Sequence, residues 1–481
     1  MSHKTVQGYI DEVPQWADGT AVSAAPLTAM QQRIWFLATA GKFFEGMVVF
    51  MTGVALPLIV ADFGLGATEK GFLGAAVLGG ILLGATSLGG LADYLGRRAL
   101  FILELVIFVA FLIGLTVANE WWLMGICLLG MGIALGCDYP TAHLMISETL
   151  PSSARGRRVL GAFAFQAVGA LVGTLVGYLI LSNVESLDAW RYMYATAIIP
   201  AIVVIAYRFT ITESPQWAIA VGKVALAESA LEALLEKSPP YPKKIELVSE
   251  PGMNEATPKP GYGALFSKPH RKATALASVP WFLQDLGTYG IGIFTPTILA
   301  ATFGAAQAHP GSVAELLAND MLAAKGAAFL DVLLVAGVLM AIALVERVGR
   351  IKLQIMGFVG CAVGLALAAV STMLTGQWAM VLLFLGFMVF NFMTNIGPNA
   401  QTYLIAGEVF PTAIRGRGAG FAASFAKIGA VLTAFLFPSL LAEWGTQLVL
   451  MLLVGTSLLG AVLTWLWQIE TRGRPLDEMS S

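Results

Sequence analysis

The chain has 481 residues, of which 57% are hydrophobic and only 12% charged, with a formal net charge of −2. Soluble domains carry about 25% charge, so this chain is too poor in charge to clothe the about three soluble domains its length would otherwise imply. The near-zero net charge leaves no electrostatic footprint for nucleic acid.

Residues 1–33 are polar and mixed, with Asp11, Glu12, Pro14 and Pro26. They lack the basic start and short apolar core of a signal peptide and read as a poorly ordered cytoplasmic tail. Apolar runs then follow at 34–60, 71–92, 99–118, 122–146, 159–182, 191–210, 272–303, 323–346, 351–374, 377–407, 418–442 and 445–468. A helix needs about 20 such residues to cross a bilayer, so these twelve runs predict an all-α, multi-pass membrane protein, numbered here as spans 1–12. A barrel is excluded, because its strands alternate in polarity over about ten residues.

The stretch 211–271 contains PPYPKK and PGMNEATPKPGYG and reads as a turn-rich linker. It separates a six-helix half at 34–210 from a second at 272–468, and 469–481 forms a second tail. Placing both tails and the linker in the cytoplasm puts 23 of the 28 lysines and arginines on that side and only Lys70, Arg191 and Lys325 on the other. That is the bias expected of cytoplasmic loops, here of a cell (inner) membrane. Cys127, Cys137 and Cys361 all fall within apolar runs and read as small buried hydrophobes rather than a disulfide framework.

Two loop motifs recur in order in both halves. Gly89-x-x-x-Asp93-x-x-Gly96-Arg97-Arg98 lies between spans 2 and 3, and Glu346-x-x-Gly349-Arg350 between spans 8 and 9. Glu148-x-x-Pro151-x-x-x-Arg155-Gly156-Arg157 follows span 4, and Glu408-x-x-Pro411-x-x-x-Arg415-Gly416-Arg417 follows span 10. Duplicated halves are the build of a secondary transporter with its substrate site at mid-membrane. Their charges could make charge-assisted bonds to the opposing half, a gating latch of Asp93, Arg97, Arg98, Glu148, Arg155, Glu346, Arg350, Glu408 and Arg415. Asp93 could also cap span 3.

These motifs, GGLADYLGRR above all, resemble the major facilitator superfamily over nearly the whole chain. Glu213-Ser214-Pro215-Gln216-Trp217 after span 6 and Glu470-Thr471-Arg472-Gly473-Arg474 after span 12 resemble its sugar porter clan. Within the clan, Gly136-Cys137-Asp138-Tyr139-Pro140, Trp281-Phe282-Leu283-Gln284-Asp285 and Asn395-Ile396-Gly397-Pro398-Asn399 resemble proton-coupled phosphate symporters. The resemblance implies the twelve-helix major facilitator fold, alternating access, a small-molecule substrate, protons as partner and function as a monomer. It implies anion-binding roles for Tyr139, Gln166, Trp281, Asp285, Tyr289 and Asn399, and coupling roles for Asp138 and Lys427. Two positions depart from that family. Val48 stands where it has a carboxylate, and Leu128 where it has an arginine. Their joint loss is compatible with Glu45 having taken the proton, with uniport, or with a different ion.

Charges inside spans are costly and are functional candidates by default. They are Lys42, Glu45, Glu104, Asp138, Asp285, Asp331 and Lys427, with His143 as a titratable neighbour. Lys42 and Glu45, three apart, share a helix face, where a self-neutralising pair competes with a proton site. Glu104 reads as one member of a structural pair, and Asp331 as a water-facing residue near the outer end of span 8. Trp281, Asp285 and Tyr289 form an i, i+4, i+8 stripe on span 7. Such a stripe is often core, but an acidic member does not pack as core. Tyr, Gln, Trp and Asn supply the donors a tetrahedral oxyanion needs. A carboxylate beside it is tolerable only when it or the substrate is protonated. Coupling is therefore expected to involve Glu45, Asp138, Asp285 and Lys427. A sugar, polyol or small organic acid carrier is the alternative, and a non-transporting receptor on the same fold a third reading. No GxxxxGK[ST] phosphate loop, nucleophile–base pair or metal spacing appears, so neither an enzyme nor a cofactor or metal is expected.

Overall fold

The computed structural model describes residues 5–12, 27–87, 91–236, 245–247, 261–303, 313–411 and 414–472. All regular structure among them is helical. Span 1 is Ala29–Phe63, span 2 Ala67–Ser87, span 3 Arg97–Thr116, span 4 Trp121–Thr149 and span 5 Ser152–Leu181. Span 6 is made of Ala189–Ala195 and Ile198–Arg208, span 7 is Arg271–Phe303, span 8 Val313–Val348 and span 9 Arg350–Ser371. Span 10 is broken into Gln377–Ile396 and Pro398–Glu408. Spans 11 and 12 form Arg415–Leu466, bent at Gly445, whose φ of 76° only glycine adopts readily. Even-numbered crossing brings the described ends of the chain, residues 5–12 and 467–472, to one face of the molecule, called here the terminal face.

Local chemistry sets these limits. Thr28 and Gln31 form a reciprocal capping box at the start of span 1, and Gly64 closes the span in the left-handed region. Gly397 and Pro398 break span 10, because proline has no N–H to continue the ladder. Span 8 begins ten residues before its apolar run, since Glu315, Asn319 and Asp320 dilute its first turns. Leu103, Val106 and Ile113 of span 3, Ile199 and Ile202 of span 6, Met356 and Val363 of span 9, and Leu448 and Leu459 of span 12 are exposed. A large apolar belt of this kind belongs in lipid.

Within each half, glycines let helices touch. Gly169, Gly173 and Gly177 recur once per turn on span 5, and a Cβ on Gly173 would stand 2.3 Å from the Met47 carbonyl oxygen of span 1. Small residues of this kind are how membrane helices approach closely. The two halves also touch far from the terminal face. A Cβ on Gly71 of span 2 would meet the Phe435 carbonyl oxygen of span 11 at 2.2 Å, and one on Gly53 of span 1 the Ile293 carbonyl oxygen of span 7 at 2.3 Å.

The terminal face is more ordered than the sequence suggests. Val6–Asp11 is a helix; Asp11 accepts hydrogen bonds from the backbone N–H and hydroxyl of Ser152, both at 2.7 Å. Within the linker, Pro215–Ala220 and Val224–Leu235 are helices and Tyr262–Phe266 a 3-10 turn. Val6, Tyr9 and Ile10 share one apolar cluster with Trp35, Trp217, Leu231, Leu234 and Leu247. The expectation of a poorly ordered tail is therefore corrected for residues 5–12. Their apolar side chains are too few to form a core alone but pack against the linker helices.

Candidate functional site

The repeated loop motifs build the same structure twice. Gly96 and Gly349 precede spans 3 and 9 with φ of 96° and 97°. The Glu213 carboxylate accepts from the Arg98 N–H (2.9 Å), and that of Glu470 from the N–H groups of Arg350 and Ile351 (3.1 Å each). Carboxylates at these helix starts satisfy open donors and complement the dipole. Arg97 pairs with Glu148 (3.3 Å) and Arg350 with Glu408 (3.1 Å) and Glu346 (2.8 Å). The Ser214 and Thr471 hydroxyls donate to Glu148 and Glu408. Arg98 donates to the Phe209 carbonyl (2.6 Å), and Arg415 to that of Phe410 (3.1 Å).

This corrects the expectation of a latch to the opposing half. Each described arginine–glutamate pair lies inside one half, because the loop it anchors folds back over its own helices. The carboxylate described at the first turn of span 3 is Glu213; Asp93 falls on the short helix Leu91–Leu95. The side chains of Asp93 and Arg155 lie outside the described residues, as does that of Tyr139.

At mid-molecule, spans 1, 5, 7 and 11 bring a charged cluster together between the halves. Glu45 Oε1 accepts from Gln166 Nε2 and from the Tyr289 hydroxyl, both at 3.1 Å. Its Oε2 accepts from Lys42 Nζ at 3.1 Å. Lys427 Nζ donates to the Tyr289 hydroxyl (2.6 Å) and to Asp285 Oδ2 (3.3 Å), and stands 3.8 Å from Glu45 Oε1. All six residues are buried. Two ammonium groups and two carboxylates balance, as charges held away from water require. Val48 and Leu128, the departures from the phosphate family, are buried in the apolar core.

A cavity of about 20 Å³ adjoins the cluster, lined by Gln166, Thr288, Tyr289, Asn395, Asn399 and Phe163 among others from both halves. Asn399 accepts from Gln284 (3.0 Å) and donates to Asn395 (2.6 Å), which holds the Leu334 carbonyl of span 8 (2.8 Å). The Gly397–Pro398 break turns this amide pair toward the cavity. Gln166, Tyr289 and Asn399 therefore line it. Asp285 and Trp281 are buried outside that lining; Trp281 packs edge-on to Tyr403 at 6.1 Å. A second cavity, about 280 Å³, lies toward the terminal face between Leu160, Ile342, Glu346, Arg350, Leu404 and Glu408.

Asp138 has a cation of its own. It pairs with Arg208 (3.0 Å), which also pairs with Glu104 (2.8 Å) and donates to the carbonyls of Phe101 and Leu37. Glu104 is thus in a structural pair as expected, but with Arg208. That arginine closes the apolar run of span 6 and reads in the sequence as a loop charge; it is fully buried. Asp331 is buried too, and accepts from Thr174 Oγ1 of the other half at 2.6 Å. This corrects the expectation that it faces water: span 5 covers its face of span 8. His143 is exposed. Sequence reasoning missed Arg208, Thr288, Asn395 and the Phe163–Tyr403 contact, each an ordinary residue in an apolar run until partners are known.

The family model described as "Sugar (and other) transporter" matches residues 34–481. The inner membrane metabolite transport protein YgcS of Escherichia coli (strain K12) is 30% identical over 454 residues, 94% of each chain. A probable inorganic phosphate transporter, 1-12, of Oryza sativa subsp. japonica is 27% identical, over 83% of this chain and 80% of that protein. Among solved structures, the partially occluded inward-open xylose transporter XylE from E. coli superposes with a TM-score of 0.72 at 20% identity, covering 93% of this chain and 100% of that one.

Proposed function

Because the chain belongs to the sugar (and other) transporter family of the major facilitator superfamily, an integral membrane transporter family, we propose that it is a proton-coupled symporter of phosphate or a similar small anion. The observation that carries this reading is the Glu45–Tyr289–Lys427–Asp285 cluster, which joins the two halves beside the cavity. Substrate arriving there would meet Gln166, Tyr289 and Asn399 as donors. Glu45 and Asp285 are the groups we assign to the coupling proton, with Lys427 as their shared counter-ion. A carboxylate that keeps its ammonium partner in one state and loses it in the other takes up and releases a proton as the halves rock.

In this reading the two six-helix halves, 34–210 and 272–468, move as units about the linker, and both termini and the linker are cytoplasmic. The protein works as a monomer, and the repeated loop clusters act on turnover more than on substrate choice. A sugar or polyol carrier is the second reading. It is favoured by the uncharged amides and hydroxyls of Gln166, Thr288, Asn395 and Asn399 at the cavity wall. Proteoliposome uptake of phosphate, xylose and benzoate, with and without an imposed pH gradient, tests both. Phosphate uptake that rises with an acidic outside and stops with an uncoupler is expected; uptake indifferent to the gradient overturns proton coupling.

A further inference from the structure

Glu45 is distinguished by what holds it. Gln166 Nε2 and the Tyr289 hydroxyl bond one oxygen at 3.1 Å, Lys427 Nζ stands 3.8 Å from the same oxygen, and Lys42 Nζ bonds the other at 3.1 Å. Two neutral donors and two ammonium groups, drawn from both halves, converge on one carboxylate that is 1% exposed. Gln166 and Tyr289 also line the cavity. We propose that the Glu45 carboxylate is a tethered stand-in for the substrate, holding the donors that a small monovalent oxyanion takes over, and that Lys42 is a further substrate-binding residue. This rests on the anion reading above.

A carboxylate is itself an oxyanion, so donors placed to satisfy it suit another anion of the same charge. The charge balance sets the class. With Glu45 ionised, Lys42 and Lys427 are offset by Glu45 and Asp285, and an added anion would be uncompensated in a buried site. With Glu45 protonated, the same four groups carry one positive charge and one anion restores neutrality. Proton and monovalent anion therefore enter together, with no need for the carboxylate missing at Val48 or the arginine missing at Leu128. The other groups acting on the cluster are Asp138 of span 4, whose charge reaches Lys42 but is held by Arg208, and Tyr403 of span 10, which feels Glu45 and Asp138.

The test is equilibrium binding of inorganic phosphate and of benzoate to the purified full chain at about pH 5.5 and about pH 7.5, where one linked proton costs up to about tenfold in affinity per pH unit. Benzoate is ionised at both values, and phosphate affinity is reckoned on the concentration of the monovalent dihydrogen phosphate, which keeps the ligand's own titration out; the two probes separate phosphate from carboxylate as the source of the oxyanion. Wild-type affinity for the bound probe should fall with rising pH. E45Q should abolish that slope and bind at about pH 7.5 within about threefold of wild type at about pH 5.5. E45A carries the same expectation should E45Q not fold. Adding K42M to E45Q should weaken binding about tenfold at both pH values, the effect of losing one charged contact. A wild-type slope retained in E45Q and E45A, or weaker binding at both pH values, overturns the stand-in. Failure of wild type and E45Q alike to bind either anion overturns the anion reading and this inference with it.

Discussion

Phe163 of span 5 and Tyr403 of span 10 stack across the two halves, with ring centroids 4.9 Å apart and planes 24° from parallel. Phe163 lines the small central cavity, while Leu160 and Leu404, beside the stack, line the larger one toward the terminal face. The pair therefore stands between the small central cavity and the larger one toward the terminal face. An aromatic pair contributes about 0.5–1.5 kcal/mol beyond its buried area. F163A should therefore raise the population open at this face by about two- to tenfold. The labelling rate of a cysteine placed at Thr288 would report it; an unchanged rate would remove the partition role.

On the other side of the cavity the halves meet through backbone. A Cβ added at Gly71 would stand 2.2 Å from the Phe435 carbonyl oxygen, and one at Gly53 2.3 Å from that of Ile293. No rotamer relieves a clash with backbone. G71A and G53A should thus disfavour this conformation and increase the separation of spin labels placed on spans 2 and 11 at that face. Distances identical to wild type would show that the helices shift locally instead.

The twelve spans were legible because a bilayer demands long apolar runs, and the observed boundaries mostly differ by a few residues. Span 8 is the exception, because its first turns bury Asp320 within the protein and look polar. The charged candidates were legible for the same reason: Lys42, Glu45, Asp285 and Lys427 stand out against apolar neighbours and do converge. Which carboxylate meets which cation was not legible. Asp138 and Glu45 look alike in sequence, yet one belongs with Arg208 and the other with Lys42. Arg208 is the last residue of its helix, where sequence cannot tell a snorkelling charge from a buried one.

The duplicated caps predict a matched pair of defects. Gly96 and Gly349 have positive φ, and a Cβ on either would stand 2.6 Å from the Oε2 of Glu213 or Glu470. G96A and G349A each combine backbone strain of about 1–2 kcal/mol with displacement of a capping carboxylate. Both should lower the melting temperature of detergent-solubilised protein by similar amounts. E213Q and E470Q should cost less, since an amide oxygen still accepts. A large effect in one half with none in the other would break the proposed equivalence.

Arg208 pairs with both Glu104 and Asp138 with no exposure of its own. R208M would leave two carboxylates buried beside Phe101 without a cation, at a cost of about 3–5 kcal/mol. Protonating those carboxylates removes the uncompensated charge, so the deficit should shrink as pH falls. Melting curves of R208M and wild type across pH would show the gap closing toward acid. A gap independent of pH would mean that lost packing and carbonyl hydrogen bonds, not charge, set the cost.

The Thr174–Asp331 hydrogen bond, 2.6 Å, is the described side-chain link between spans 5 and 8 in the half of the molecule away from the terminal face. Among the described residues, the Thr174 hydroxyl is the hydrogen-bond donor to the Asp331 carboxyl. T174V keeps the shape of the contact but leaves a buried carboxyl without that donor, a loss of about 1–3 kcal/mol that falls only on conformations closed at this face. D331N keeps an oxygen that can accept the same hydroxyl, so it should be the milder change. Spin labels on spans 5 and 8 should therefore move apart in T174V by population shift, with about a fivefold or greater rise in the separated form, and much less in D331N. Should D331N shift the distances as far as T174V, the carboxylate's charge rather than the threonine bond would be what holds these helices together.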